Sequence, residues 1–284
     1  MATHTAPQNK IRRDELLSGE KFPLRNRSLH LSLEVRDSEL VACVLDKHSD
    51  TYIAFCRIPL SAKENNLKGI LKDDIFASSF DGVSAVFTPN SAILTPAAFY
   101  RKELLTEYLA LPQLAKNKET PCSDYIKSLD SYNLYTVDTG MLSALKDRFP
   151  NAACRHHSSI FMEYLLILYK GTASTGVHTA IFGKYMDVAA LQNGALMLYN
   201  RFYYESANDF LYYLLWVYEQ LQFDSRKADC YFYGEATDEI MNSTGRYIHN
   251  VGQGAMPAGQ AFAPALGKLP VKSCQSLFMQ YLAL

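Results

Sequence analysis

"LHLSLEVRDSELVACVLDKHSDTYIAFCRI", residues 29–58, contains three strand-like segments in a row. The segments 29–36, 39–46 and 51–58 are each rich in aliphatic and aromatic residues, and short polar stretches such as Asp37-Ser38 separate them. Apolar runs of this length between turn-forming residues are typical of β-strands, and connections this short join antiparallel neighbours. The stretch therefore predicts an antiparallel meander.

The segments that follow the meander alternate between helical and strand-like patterns. Thr95-Pro96 is a typical helix start, because a proline at the first helical position loses no needed hydrogen bond. Residues 112–124 contain two prolines and three lysines or asparagines in a row, which predicts an irregular connection. The other predicted elements are a helix at 67–80, strands at 83–89 and 91–96, a helix continuing to Leu111, a strand at 133–138, a helix at 140–149 and a short strand at 152–157.

The second half of the chain repeats the pattern of the first. Asn193-Gly194 is the strongest short hairpin signal in the sequence, and Ser206 with Asp209 is a typical helix N-terminus. The predicted elements are a helix at 159–170 capped by Ser158, strands at 177–185, 187–192 and 195–204, a helix at 207–221, a strand at 228–235, a short helix from Thr237 to Met241 and a strand at 245–252.

The order β-β-β-α-β-α-β thus occurs twice, at 29–150 and at 177–252, which indicates an internal duplication. We predict an α/β fold with two lobes and mixed sheets. The expected division is a flexible N-terminal arm at 1–22, a first lobe at 23–154 and a second lobe at 155–284.

Three longer motifs carry a resemblance to a known family. They are "AVFTPNSAILTPAAFY" (85–100), "CRHHSSIFMEYLL" (154–166) and "LQNGALMLYNRFYYESANDFLYYLLWVYEQL" (191–221). In these motifs the chain resembles a bacterial family of unknown function with an actin-like ATPase (ribonuclease H-like) fold, and it is similar to the pilus-assembly scaffold proteins of that superfamily. The resemblance covers most of residues 28–252 and implies a duplicated βββαβαβ fold.

The resemblance also implies where a nucleotide site lies. In active actin-like ATPases, the first hairpin turn of each lobe carries Asp-x-Gly, in which the acid orients Mg²⁺ or water and the glycine lets backbone N–H groups approach phosphate. Alignment of the first turn places Glu34 at the acid and Arg36 at the glycine. Alignment of the second turn places Ala180 at the acid and Phe182 at the glycine.

A few positions do agree with the pattern of the resembled family. Gly183 and Asp187 match in the second turn, and Gly234-Glu235 ends a strand before a helix, as the adenosine-side turn does. Because both phosphate turns are altered, we expect a non-catalytic scaffold or protein-interaction module with no cofactor and an unknown protein partner. The alternative is a nucleotide-binding switch or phosphotransferase that holds ATP and Mg²⁺ at Glu34, Gly183, Asp187, Gly234 and Glu235.

Composition argues against several other functions. The 28 basic and 29 acidic residues nearly cancel, so we expect no nucleic-acid partner, and single-strand binding remains a third and weaker hypothesis. The first 21 residues have no apolar core of a signal peptide and no apolar run is long enough to span a bilayer, so we expect a cytoplasmic protein with no membrane span. The six cysteines have no C-x-x-C pair and are expected to be reduced.

Two further features admit a structural and a functional interpretation. The stretch 199–216 is rich in aromatic residues, and helical spacing of Phe210, Leu214 and Val217 favours core packing over a stacking platform. His156-His157 is expected to be a polar hinge and not a metal site, because adjacent strand residues point to opposite faces. We predict no catalytic triad and no metal site, and a flexible surface loop at 251–260.

Overall fold

The structure, a computed structural model, describes residues 16–60, 67–88, 91–110, 118–234, 236–257, 259, 261–267, 269 and 274–281. Its strands are β1 Leu16–Ser18, β2 Leu29–Val35, β3 Glu39–Asp46, β4 Thr51–Pro59, β5 Gly82–Phe87, β6 Ile93–Pro96, β7 Glu119–Ile126, β8 Ser131–Asp138, β9 Ala153–His156, β10 Thr175–Phe182, β11 Tyr185–Gln192, β12 Ala195–Tyr203, β13 Asp229–Gly234, β14 Val251–Gln253 and β15 Ala261–Phe262. Its α-helices are α1 Leu67–Ile70, α2 Leu105–Ala110, α3 Thr139–Arg148, α4 His157–Leu168, α5 Ala207–Gln220, α6 Asp238–Thr244 and α7 Gln275–Met279.

The described residues form two compact units. The first contains the chain up to His157 together with the short segment around β15, and the second contains the chain from Ser158 to Pro257 together with α7. The main sheet of the first unit has the strand order β1-β4-β3-β2-β5-β9, with β15 beside β4. The sheet of the second unit has the order β12-β11-β10-β13-β14.

The two sheets are copies of one topology. In each, three consecutive strands (β2-β3-β4 or β10-β11-β12) form an antiparallel meander. A parallel strand lies beside the first of them (β5 or β13), and a second parallel strand follows it (β9 or β14). The register shifts between Val44 and Leu45 in one meander and between Ala190 and Leu191 in the other, so both copies carry a β-bulge at the same place. The predicted duplicated βββαβαβ order is therefore confirmed, down to one irregularity in the ladder.

The apolar residues that suggested the strands do form the cores. All seven residues of β2 are buried, and β3 and β4 are buried over most of their length. In the second unit the predicted helical stripe of α5 is fully buried at Phe210, Leu214 and Val217. The N-terminus of α5 carries the predicted capping box, in which the Ser206 hydroxyl accepts from the Asp209 N–H and the Asp209 carboxylate accepts from the Ser206 N–H.

The region between β5 and α3 differs most from the sequence prediction. Residues 119–124, the second half of the predicted irregular connection at 112–124, belong instead to strand β7 of a separate sheet with the order β6-β8-β7. Pro121 is compatible with this strand because β7 lies at the edge of the sheet, where a missing N–H donor is tolerated. The helix predicted up to Leu111 begins instead as two 3₁₀ turns, Ala97–Phe99 and Lys102–Leu104, before α2.

Three other predictions were wrong in part. The strand predicted at 245–252 is confined to β14, because Gly245 and Ile248 donate backbone hydrogen bonds to Met241 and Thr244 and so continue the turns at the end of α6. The arm predicted at 1–22 lies outside the described residues up to position 15, whereas Leu16–Ser18 forms β1, which pairs with β4. The predicted helix at 67–80 is α1 followed by a 3₁₀ turn at Asp74–Ala77.

Candidate functional site

The first hairpin turn joins β2 to β3 and contains an ion-pair network. The Glu34 side chain is fully buried, and Arg36 Nε lies 2.8 Å from its Oε1 atom. Arg36 Nη1 lies 2.8 Å from Glu39 Oε1, and Arg57 Nε lies 3.3 Å from Glu39 Oε2. The side chain of Arg36, which stands at the predicted glycine position, therefore binds the carboxylate at the predicted acid position.

The second hairpin turn joins β10 to β11 and is followed by a buried ion pair. Asp187 is fully buried on β11, directly opposite Arg201 on β12. Arg201 Nε lies 2.5 Å from Asp187 Oδ1, and its Nη2 lies 2.7 Å from Oδ2, so one guanidinium binds both carboxylate oxygens. Burial acts to lower the pKa of Arg201, but the Asp187 charge outweighs this effect and holds the pKa above its ordinary value.

Tyr199 adds a third group to this pair. Its hydroxyl hydrogen bonds with Asp187 and with Ser158, the residue after the start of α4. Burial of the phenol and then the negative charge of Asp187 raise the pKa of Tyr199 well above its ordinary value, so the hydroxyl is neutral. Asp187 is therefore surrounded by donors from the chain itself.

The shared bulge aligns the two units residue by residue. Counting from it, Glu34 corresponds to Ala180 and Arg57 corresponds to Arg201. Asp187 lies opposite Ala180 in the ladder, so the second copy carries its carboxylate on the neighbouring strand. Each unit thus combines a buried carboxylate near the hairpin with an arginine at the same duplicated position.

Gly183 belongs to a two-residue turn between Phe182 and Tyr185. Its φ of +55° is the left-handed conformation that favours glycine, and a Cβ atom built there meets nothing within 4 Å. The Gly183 carbonyl accepts a hydrogen bond of 2.7 Å from the Tyr204 hydroxyl. The turn is therefore open in space at Gly183, with a tyrosine bonded to its backbone.

Gly234 ends β13 and lies beside Ile181 in the parallel ladder. Its φ is +88°, and a Cβ atom would stand 2.6 Å from the Ile181 carbonyl oxygen, so only glycine fits. The Gly234 N–H donates to Oε1 of Gln275 at 3.1 Å, and Gln275 Nε2 donates to the Gly254 carbonyl at 2.9 Å. Gln275 is buried on α7, so the C-terminal helix occupies the backbone donor of this turn.

The structure brings some of the predicted site residues together. Gly183, Asp187 and Gly234 all lie around the end of β10, because Asp187 pairs with Ala180 and Gly234 pairs with Ile181. Glu34 belongs to the other unit, at the corresponding end of β2. Glu235 lies outside the described residues.

Sequence reasoning missed the partners of these residues. Arg201 and Gln275 were not singled out, although the aligned segments "FCRI" (55–58) and "YNRF" (199–202) place an arginine at one position of both copies. Gln275 left no signal of this kind, because its contact with Gly234 joins residues 41 positions apart.

A buried polar cluster in the first unit was also missed. The Asp124 carboxylate accepts from the Tyr135 hydroxyl at 2.9 Å and from the His156 backbone N–H at 2.8 Å, and Arg155 Nε lies 3.9 Å from it. His156 is fully buried with its ring 4.9 Å from the Tyr135 ring. The cluster joins the β6-β8-β7 sheet to β9 within the first unit, so His156 is part of a structural polar network.

The described residues contain no helix with the length and hydrophobicity of a membrane span. In the same residues, no three histidine, cysteine or acidic side chains come together as metal ligands would. All six cysteines are free thiols.

The solved structures that this chain resembles share its fold. One is a protein from Bacteroides thetaiotaomicron VPI-5482 with an actin-like ATPase fold and unknown function, 18% identical, covering 82% of this chain and 94% of that chain with a TM-score of 0.74. Another is the PilM-PilN type IV pilus biogenesis complex, 11% identical, covering 92% of this chain and 98% of that chain with a TM-score of 0.55. These likenesses confirm the predicted actin-like fold.

At the level of sequence, no curated protein matches the chain. One family model does match, over residues 21–251, which is well over half of the sequence. The chain therefore belongs to the family described as protein of unknown function (DUF3822).

Proposed function

We propose that this chain is a non-catalytic actin-like scaffold that binds a protein partner and does not turn over ATP. The observation that carries the proposal is the double hydrogen bond between Arg201 and Asp187, with both carboxylate oxygens engaged. A carboxylate that orients Mg²⁺ or water needs at least one oxygen directed at the metal or the water. In this chain both oxygens of Asp187 are directed at the Arg201 guanidinium instead.

The first hairpin supports the same proposal. Glu34 is fully buried and paired with Arg36, which stands where phosphate-binding turns of the resembled ATPases have glycine. A positive side chain at that position fills the space that a phosphate group needs for contact with backbone N–H groups. The missing glycine and the pairing of Glu34 with Arg36 therefore both argue against phosphate binding at this turn.

The third support comes from the turn after β13. A backbone N–H at such a turn is available to a ligand only when no side chain accepts from it. The Gly234 N–H donates to Gln275, and Gln275 also accepts from Gln253 Nε2 at 3.1 Å. A nucleotide would have to displace a buried glutamine that is held at both ends.

A protein partner is suggested by the fold neighbour that was solved as the PilM-PilN type IV pilus biogenesis complex. That complex is made of other proteins, and the identity of 11% carries only the fold. Scaffolding without catalysis is nevertheless consistent with an actin-like fold whose phosphate turns bind their own side chains. Fold alone does not assign function, so the assignment rests on the site.

The second candidate is a nucleotide-binding switch or phosphotransferase. It is favoured by Gly183, whose turn has open space beside it, and by Gly234, where only glycine fits. In this alternative, Mg-ATP binds at the predicted positions of the second unit, Gly183, Asp187 and Gly234, and Arg201 moves away from Asp187 when it does. Under both candidates we propose a cytoplasmic protein. The two candidates differ in whether nucleotide is bound.

ATP turnover by the purified chain distinguishes catalysis from scaffolding. We expect phosphate release at the background rate, unchanged in a Gly183→Asn variant. Asparagine tolerates the left-handed conformation, so this variant keeps the turn while placing a side chain beside it. Turnover that the wild type shows and Gly183→Asn loses would overturn the non-catalytic assignment in favour of the phosphotransferase.

A further inference from the structure

The outer edge of β12 is the terminal edge of the sheet in the second unit. In the described part of the chain, no strand pairs with this edge. Every residue of β12 is at least partly exposed, whereas the corresponding strand β4 is buried over most of its length. Open strand edges attract other extended chains because their N–H and C=O groups lack ladder partners.

The first unit shows how the chain itself covers the equivalent edge. There β1 pairs antiparallel with β4, with Leu17 opposite Phe55 and Leu16 opposite Cys56. Through the shared bulge, Phe55 corresponds to Tyr199 and Cys56 to Asn200. An extended segment placed on β12 in the same manner lies along residues 198–200.

Exposed rings line the helix side of this edge. Phe202 of β12 stacks on Tyr213 with ring centroids 4.8 Å apart. Trp216 meets the Phe202 ring edge-on, with ring centroids 6.0 Å apart. Tyr212 is 65% exposed and Met197, at the bulge, is 50% exposed. Contiguous exposed apolar groups of this kind mark interaction sites.

Between residues 202 and 225, the charged side chains are all acidic. Asp209, Tyr212, Trp216 and Glu219 follow one another at helical spacing on α5, so carboxylates flank the exposed rings. Residues 202–225 contain Glu205, Asp209, Glu219 and Asp224 and no lysine or arginine. Arg201 is bonded to Asp187, and Lys184 lies in the hairpin turn at the end of β10. The surface formed by these rings and carboxylates therefore favours cations over anions.

We propose that the outer edge of β12 binds an extended basic segment of a partner protein. The segment pairs antiparallel with β12 and places lysine or arginine side chains on the rings of Tyr212 and Trp216, between the carboxylates of α5. Main-chain pairing supplies affinity, and cation–π contacts with the ring faces supply selectivity. This inference rests on the proposed scaffold function, because it names the surface and the chemistry of the partner.

A designed peptide tests the surface directly. The probe is a fluorescently labelled peptide of roughly ten residues, the length of a long strand, in which valine alternates with lysine. Its matched control alternates valine with glutamate. We expect the lysine peptide to bind at least about tenfold more tightly than the glutamate peptide, with the difference shrinking as salt is raised to about 0.5 M.

Two variants and a mapping experiment locate the binding. Tyr212→Lys removes an exposed ring and adds a repelling charge, and we expect it to weaken binding of the lysine peptide by about tenfold or more. Phe99→Lys is the control, because Phe99 is an aromatic residue of the first unit whose side chain is 71% exposed. We expect this variant to bind the lysine peptide as tightly as the wild type does. Hydrogen exchange should slow at 195–203 when the peptide binds.

Four results would overturn the inference. Three are equal binding of the two peptides, binding of the lysine peptide to Tyr212→Lys as tight as to the wild type, and slowed exchange that maps away from β12. Protection of 195–203 in a self-associated chain without peptide would assign the edge to a second copy and refute the partner segment. If any of these occurs while ATP turnover stays at background, the proposed scaffold function stands and only this surface fails.

Discussion

Arg201 lies directly opposite Asp187 on the adjacent antiparallel strand, and its guanidinium binds both oxygens of that carboxylate. Both side chains are almost completely buried, with 8% of Arg201 and none of Asp187 exposed. Two charges buried together are held by their mutual attraction, and removing one leaves the other without compensation. The pair therefore has a structural role of its own, which is measurable without any ligand.

We predict that Asp187→Asn lowers the free energy of unfolding by about 3–5 kcal/mol, because it leaves the Arg201 charge buried without its counterion. Urea denaturation monitored by circular dichroism measures the change. Asp147→Asn is the control, since the Lys68–Asp147 pair is more than half exposed on both sides and such pairs contribute at most about 1 kcal/mol. Equal effects of the two substitutions would contradict the role assigned to the buried pair.

The double variant Asp187→Leu/Arg201→Met removes both charges. Because an apolar pair of similar volume avoids the desolvation cost, we expect most of the stability lost in Asp187→Asn to return in this variant. A double variant as unstable as Asp187→Asn would show that shape, and not charge, dominates at this site.

Gly234 and Gly183 provide a matched pair of substitutions. Both have positive φ, but a Cβ at Gly234 meets the Ile181 carbonyl at 2.6 Å, whereas a Cβ at Gly183 meets nothing within 4 Å. Gly183→Ala should cost about 1–2 kcal/mol from backbone conformation alone. Gly234→Ala should cost at least about 3 kcal/mol, because the clash adds to the conformational cost. Denaturation midpoints of the two variants measure these costs. A larger loss of stability in Gly183→Ala than in Gly234→Ala would refute the geometry of these turns.

Gln275 is the link between α7 and the turn at Gly234. Gln275→Leu keeps a similar volume but leaves the Gly234 N–H and the Gly254 carbonyl without this partner, which should cost about 1–3 kcal/mol. We expect faster amide exchange at Gly234 in the variant. Unchanged exchange there would mean that Gln275 does not protect the turn.

His178 predicts a dependence of stability on pH. Burial lowers the pKa of His178 to about 3 from 6.5, and its ring lies among Tyr169, Tyr231 and Tyr233. The folded state therefore excludes a proton that the unfolded state binds below pH 6.5, so the contribution is complete above 6.5 and is lost as pH falls towards 3. The slope reaches about 1.4 kcal/mol per pH unit.

His178→Gln should make this acid-side loss of stability shallower than in the wild type by up to that slope. Urea midpoints measured at several pH values between about 4 and 7 give the comparison. Parallel curves for His178→Gln and the wild type would contradict the buried neutral histidine.

Much of the fold could be predicted from the sequence, because in the two meanders the local strand and turn signals agree with the long-range structure. The capping box at Ser206 and the Asn193-Gly194 turn are encoded within a few residues, and both form as expected. Strand β7 was not predicted, because Pro121 and the polar residues before it are typical of an irregular connection. The strand forms because it pairs with β8 across a short turn, with Ile126 opposite Ser131, and its edge position tolerates Pro121.

The site was predictable only in part, for a related reason. The alignment located Asp187 and Gly234, but their partners Arg201 and Gln275 are set by ladder register and by the position of α7. Arg201 binds Asp187 because a bulge puts the two in register, and single-sequence patterns do not report which residue of a neighbouring strand lies opposite.

The most direct test of the central claim, that the chain's own side chains occupy the nucleotide positions, is a melting curve with and without Mg-ATP. A ligand present at about 100 times its dissociation constant stabilises the folded state by about 2.7 kcal/mol, which raises the midpoint by several degrees. We predict no change of the midpoint at millimolar Mg-ATP. A clear rise that Gly183→Asn abolishes would contradict the claim and establish a nucleotide site at the second hairpin.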